Sequence, residues 1–210
     1  MRWISVWLTA LGICAALAPV AAQDAATGGG AVTLVDLRID ERTRSGKLDA
    51  CELVYLIGFE DHIYRRGEVT ALRGSLQLSA LIEAPNKPPI VAFKVTAFDI
   101  IGAKTHQFAP LHYAFITAKG TSFAGKESGK FTCEDGGVCM AFSVFENERL
   151  LEALIDGAFE INVTRQPGGS DVRVPVNFAR DKPEVAARFA NCTLKLIEVM
   201  QEKFGDEKIQ

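Results

Sequence analysis

Hydrophobic and polar residues alternate along most of this chain with a period of two, the signature of a strand with one buried face. In VTLVDLRID, from Val32, the residues Val35, Leu37 and Ile39 oppose Asp36, Arg38 and Asp40. In CELVYLIGF, one face carries Cys51, Leu53, Tyr55, Ile57 and Phe59. VTALRGSLQLSALIE then sets Leu72, Leu76, Leu78, Ala80 and Ile82 against Arg73, Ser75, Gln77 and Ser79. After APNKPP, a proline-rich turn, IVAFKVTAFDI places Val91, Phe93 and Val95 on one side, and HYAFITA makes a further strand. AFEINVTR and DVRVPVNF are two more, joined by QPGGS, a hairpin signal. Pro175 lacks an N–H, which puts the second of these at a sheet edge.

The period lengthens twice. NERLLEALIDG predicts a short helix, capped by Asn147, ended by Gly157, and buried through Leu150, Leu151, Leu154 and Ile155. DKPEVAARFANCTLKLIEVMQEKF predicts a long one, with Pro183 at its first position and a stripe of Val185, Phe189, Cys192, Leu196 and Val199. The fold expected is mainly β: antiparallel, sandwich-like sheets with a short helix and a long C-terminal helix packed on the sheet. A β-rich domain is expected over 32–204, followed by a tail at 205–210. The glycine-, serine- and lysine-rich stretch 119–130 reads as a long exposed loop or as a boundary between two subdomains.

The N-terminus changes the compartment. Arg2 precedes an apolar run from Ile4 to Leu17, Pro19 breaks it, and Val20-Ala21-Ala22 supplies small residues for cleavage. Residues 1–22 read as a secretory signal peptide, and the run is short of the ~20 residues of a spanning helix. Cys14 is not read as a lipid-anchored cysteine, because Ile13 stands where a small residue is needed. Residues 23–31 read as a flexible leader. No later apolar run is long enough to span, so a mature chain without a transmembrane segment is expected, periplasmic or secreted. Charged residues at 23% and hydrophobic ones at 48% indicate a globular chain. A formal net charge of −3 gives no footprint for nucleic acid.

With Cys14 set aside, four cysteines remain of the five, and an even number in an exported chain implies disulfides. Asp135-Gly136-Gly137 can form a three-residue hairpin loop. Glu134 then faces Val138, and Cys133 and Cys139 become the next cross-strand pair. Cys51, on its strand's apolar face, and Cys192, on the helical stripe, both point to the core and can meet there. The competing readings are a zinc site and a redox pair. Five residues separate Cys133 from Cys139, too many for usual zinc spacing or for C-x-x-C.

Candidate chemistry is sparse. His62, His106 and His112 have no ligand at metal-binding spacing, so neither a metal nor a cofactor is expected. GTSFAG, around Ser122, has one residue too many for a nucleophile elbow. NVT at Asn162 and NCT at Asn191 match the glycosylation sequon. The most varied loop is FEDHIYRRGE, where Asp61, His62, Tyr64, Arg65 and Arg66 form a possible binding loop for an anion or a partner, alongside the plainer reading of a solvated hairpin connection.

From Glu148 to Phe189, LLEALIDGAFEINVTR, a glycine turn, VRVPVNFAR and an apolar-faced helix follow one another. This order resembles the C-terminal part of the invasion-associated locus B family of bacterial periplasmic or envelope proteins. The resemblance implies a non-enzymatic envelope protein of a Gram-negative bacterium and supplies no site residues. The expected function is therefore an exported, disulfide-stapled, non-catalytic binding or structural module of the cell envelope, its partner an envelope or extracellular protein. Two alternatives stand beside it. One is a carrier of a small apolar ligand, held among the 13 phenylalanines between sheet and helix. The other is a hydrolase using the Asp61-His62 loop.

Overall fold

A computed structural model of the protein describes residues 29–84, 86–102, 105–123, 131–133, 136–144 and 148–205. The expected signal peptide, the Asn147 cap, Glu134 and most of the leader, the 119–130 stretch and the tail lie outside these residues.

Among the described residues eleven strands and three helices follow in order: β1 (Gly29–Arg44), β2 (Lys47–Asp61), β3 (Glu68–Ser79), β4 (Ile90–Gly102), β5 (Thr105–Ala109), β6 (Tyr113–Ala118), β7 (Thr121–Phe123), β8 (Phe131–Thr132), β9 (Val138–Ser143), α1 (Glu148–Asp156), β10 (Ala158–Thr164), β11 (Val172–Asn177), α2 (Phe178–Asp181) and α3 (Pro183–Phe204). They form two antiparallel sheets. The large one runs β1-β2-β3-β4-β9-β8, with β5 also paired to β4; the small one runs β11-β10-β6-β7. Strands from both sides of residues 119–130 enter both sheets, and one hydrophobic cluster joins the two sheets and the three helices. Pro175 lies on β11, an edge of the small sheet, as its missing N–H requires.

The alternation of β2, β3 and β4 is obeyed closely. Cys51, Leu53, Tyr55, Ile57 and Phe59 are all at most 1% exposed, and Leu72, Leu76, Leu78, Val91, Phe93 and Val95 meet them on the same inner face. Strand β1 departs from the expected pattern. Leu34 pairs with Ile57 and Asp36 with Leu56, so Val35 is an extra residue in a bulge. The bulge resets the parity: Leu37 and Ile39 turn inward, while Val35 is 60% exposed on the outer face.

Helix α3 lies across β2 and β1. It buries Phe189, Cys192, Thr193, Leu196 and Met200, so the stripe ends on Met200 and not on Val199. Beneath it Phe159, Phe178 and Phe189 stack edge to face with centroids 6.2 and 6.1 Å apart, a favourable ring geometry. These rings pack against each other beneath the helix. The Lys203 ammonium fixes the end of α3 by donating to the carbonyls of Ala80, Leu81 and Ala84 at 3.0, 2.6 and 3.1 Å. The four-residue α2 is not anticipated by the sequence reading. The Asn177 side chain caps it by accepting from the Arg180 N–H.

Both disulfides form. Cys51 joins Cys192 with Cα atoms 5.9 Å apart, fastening α3 to β2. Cys133 joins Cys139 at 5.7 Å. The register of this hairpin differs from the expected one: Thr132 pairs with Val138 and Phe131 with Cys139. The Gly136 N–H donates to the Cys133 carbonyl at 2.9 Å, making a turn inside the bridge. The cysteines are therefore offset along the ladder, within the distance range a disulfide spans.

Candidate functional site

The loop between β2 and β3 is built on Asp61. Its side chain is fully buried, and its Oδ1 accepts from the N–H groups of Ile63 and Tyr64 at 3.1 and 2.8 Å. Its backbone carbonyl accepts from the N–H groups of Arg65 and Gly67. Arg66 and Gly67 close the turn at φ of +55° and +90°, a region that suits glycine.

The remaining Asp61 oxygen, Oδ2, meets Arg165, which follows β10, at 2.9 Å. This oxygen makes no hydrogen bond, so the contact is an ion pair. Arg165 also contacts Asp99 of β4 at 2.8 Å and donates to the Thr70 hydroxyl at 2.6 Å. Arg65 reaches Asp99 from the other side at 3.1 Å and pairs with Glu68. Tyr64 completes the arrangement, donating to the Ser170 carbonyl at 2.6 Å with Arg165 over its ring. Burial would raise the Asp99 carboxyl, but the hydrogen bond and charge of Arg165, then Arg65 and Thr70, outweigh it and hold the group below its ordinary value.

Asp61, Tyr64 and Arg65 are thus engaged in a clamp between the two sheets. Asp49 mirrors it at the other end of β2: buried, it pairs with Arg42 and Arg44 and accepts from the Ile82 N–H. His62 and Arg66 point outward, and the nearest acid to His62 is Glu60, 3.3 Å from its Nε2. Asp61 and His62, neighbours in sequence, do not form a catalytic pair here, since the Asp61 oxygens are taken by backbone N–H groups and Arg165. Ser122 lies on β7, its hydroxyl 3.3 Å from that of Thr117. The Asn162 amide of the first sequon is buried and donates to the same Thr117 hydroxyl. Among the described residues no group of His, Cys, Asp or Glu side chains is placed to hold a metal ion, and no helix is long and apolar enough to cross a membrane.

The open surface of interest lies elsewhere, on the outer face of the large sheet. An apolar groove of about 380 Å³ is lined by Val35, Leu56, Gly58, Val69, Phe98 and Ile100, among others. Val69 is 44% exposed. Phe98 forms a wall, held edge-on by His106 and Phe108 at 5.6 and 6.3 Å. Gly136, in the stapled hairpin, sits so close to Phe108 that a Cβ there would come within 2.9 Å of the ring. The groove runs into a polar one of about 300 Å³, where Thr96, Ser75, Lys94 and Glu52 are found, and Arg73 lines both.

Strand β4 forks at their meeting point. Its pairing with β9 ends at Val95, and its pairing with β5 begins at Ala97. Thr96 sits between, opposite Arg73 of β3. Its side chain is 3% exposed, and its hydroxyl has no hydrogen-bond partner.

Sequence reasoning missed Arg165, Asp99, Arg73 and Thr96. A signal for the groove was present: Val54, Leu56 and Phe98 occupy the parity that a solvated face would fill with polar residues, and apolar residues on both faces of a strand mark a second surface to be covered. No family model matches the chain, and neither a curated protein nor a solved structure is similar to it.

Proposed function

We propose that the protein is an exported binding module of the bacterial cell envelope, working through the outer face of its large sheet. The observation that carries this reading is the apolar groove on that face, where Val35 and Val69 stand 60% and 44% exposed beside Leu56, Phe98 and Ile100. Contiguous exposed apolar surface is characteristic of interaction sites. Two disulfides favour an oxidising compartment, and the signal-like N-terminus and the resemblance to envelope proteins point the same way.

The test is photo-crosslinking in a Gram-negative host, with the crosslinking residue placed at Val69 or, as a control on α3, at Lys195. The expected outcome is a chain recovered in the periplasmic fraction, with adducts from position 69 that are absent from position 195. Cytoplasmic retention, or equal labelling from the two positions, would defeat the reading.

A further inference from the structure

We infer that the outer-face groove binds a single-chain anionic amphiphile of the fatty-acid class, its carboxylate between Arg73 and Thr96 and its tail along Leu56, Ala71 and Phe98. The inference rests on the open-face reading above and specifies the ligand.

Three observations meet at one point. The groove is apolar along one arm and turns polar at a single place, and its volume of about 380 Å³ lies within the usual range for small-molecule sites. At the turn, the Arg73 guanidinium makes no ion pair or hydrogen bond with a described residue. Its planar fork matches a carboxylate. Directly across the β3–β4 ladder, Thr96 keeps a buried hydroxyl without a partner, an arrangement that is unfavourable until an acceptor or donor arrives. Thr96 lines the polar groove at the end of the apolar arm, its hydroxyl just beneath the surface there.

The polar groove carries charges of both signs, and Arg73 is the one that also lines the apolar arm. Lys94 lies on the next outward position of β4, in the polar groove. The acids of that groove are Asp40, paired with Arg38 at 3.3 Å, and Glu52. Glu52 is four residues along β2 from Leu56, the residue opposite Arg73, and hence about 13 Å away along the strand. A cationic head would meet Arg73 as a like charge, and an uncharged one would leave the guanidinium unpaired. A peptide is a poorer occupant, since strand addition requires a sheet edge with free backbone groups. The groove lies on a face whose strands are already hydrogen-bonded to each other.

The test is calorimetric titration of the full chain with dodecanoate, dodecyltrimethylammonium and dodecanol, each below its aggregation threshold, alongside sedimentation of the free protein. Dodecanoate is expected to bind with one site, about tenfold or more tighter than the other two. Arg73→Gln should reduce dodecanoate affinity about tenfold and leave dodecanol unchanged, and Thr96→Val should weaken dodecanoate several-fold. Val69→Asp, at an exposed position that keeps the fold, should abolish binding; its melting curve checks this. Equal binding of dodecanol and dodecanoate, indifferent to Arg73→Gln, would overturn the assigned head while leaving the open-face reading standing. Absence of binding by all of these probes would overturn the amphiphile whatever the crosslinking shows. A dimer dissolved by Val69→Asp would assign the groove to a second copy of the chain and overturn the inference as well.

Discussion

Tyr55 and Gly74 share the space of one side chain. They face each other across the β2–β3 ladder, and the Tyr55 hydroxyl reaches over the glycine to donate to the Lys94 carbonyl of β4 at 2.8 Å. A Cβ at position 74 would lie 2.0 Å from that carbonyl and 2.5 Å from the phenol oxygen. Burial holds the phenol well above its ordinary value, so it remains a neutral donor. Gly74→Ala is expected to destabilise the protein by about 3 kcal/mol, the upper range for overpacking. Tyr55→Phe, which loses only the hydrogen bond, should cost about 1 kcal/mol. Urea midpoints of the two variants check the order.

Arg165 carries two acids at once, Asp61 and Asp99. Arg165→Met keeps the bulk and removes the charge, leaving both carboxylates without their main partner. Breaking a buried pair from one side costs about 3–5 kcal/mol. Since Asp99 retains some exposure and Arg65, a loss near the lower figure is expected by denaturant titration. A loss under about 0.5 kcal/mol, the size of an ordinary surface change, would show that the clamp contributes little.

The same clamp sets an acid limit. The Asp99 carboxyl is held below its ordinary value in the folded chain, so the folded state binds this proton more weakly than the unfolded one. Its contribution is fully present above the unfolded value of about 3.9 and disappears as pH falls through the lower folded value. The melting temperature should therefore decline below about pH 4. Asp99→Asn, already less stable at neutral pH, should decline less over that interval. Parallel curves for the two proteins would remove Asp99 from the account.

The two bridges should differ in weight. By the chain-entropy argument, the Cys51–Cys192 bridge, with a sequence separation of 141, contributes up to about 5 kcal/mol. The Cys133–Cys139 bridge, with a separation of 6, contributes about 2 kcal/mol. Paired cysteine-to-alanine variants, compared by denaturant midpoint, are expected to reproduce this order.

Much of the fold was legible because strands β2 to β4 and helix α3 keep one parity or one stripe throughout. The Cys51–Cys192 pairing followed from that, since a residue's face decides whom it can meet, while Cys133–Cys139 followed from the glycine turn between them, in a different register from the one expected. What escaped were features with no local pattern. The Val35 bulge inserts one residue and inverts the faces, which periodicity alone cannot show. The hairpin offset at Cys133 is set by a turn hydrogen bond. Arg165 and Asp61 are 104 positions apart by their numbers in the chain, and nothing in either neighbourhood announces the other. The loop at Asp61 looked chemically rich because its residues are polar, yet three of them serve internal contacts. The groove was hidden differently: its apolar residues look like core until the opposite face is seen to be the covered one.

The bridge from Cys51 to Cys192 also imposes an order in time. A chain emerging from its N-terminus presents Cys51 early, on an apolar strand that neighbouring hairpins can already begin to pair. Its covalent partner arrives only with α3, the last of the described helices, together with Phe189, Leu196 and Met200 that cover the same surface. Until α3 has been made, the growing polypeptide carries an unpaired thiol on an uncovered hydrophobic sheet. A copy cut short before α3 would lack the intended partner of that thiol, leaving it open to pairing with another molecule.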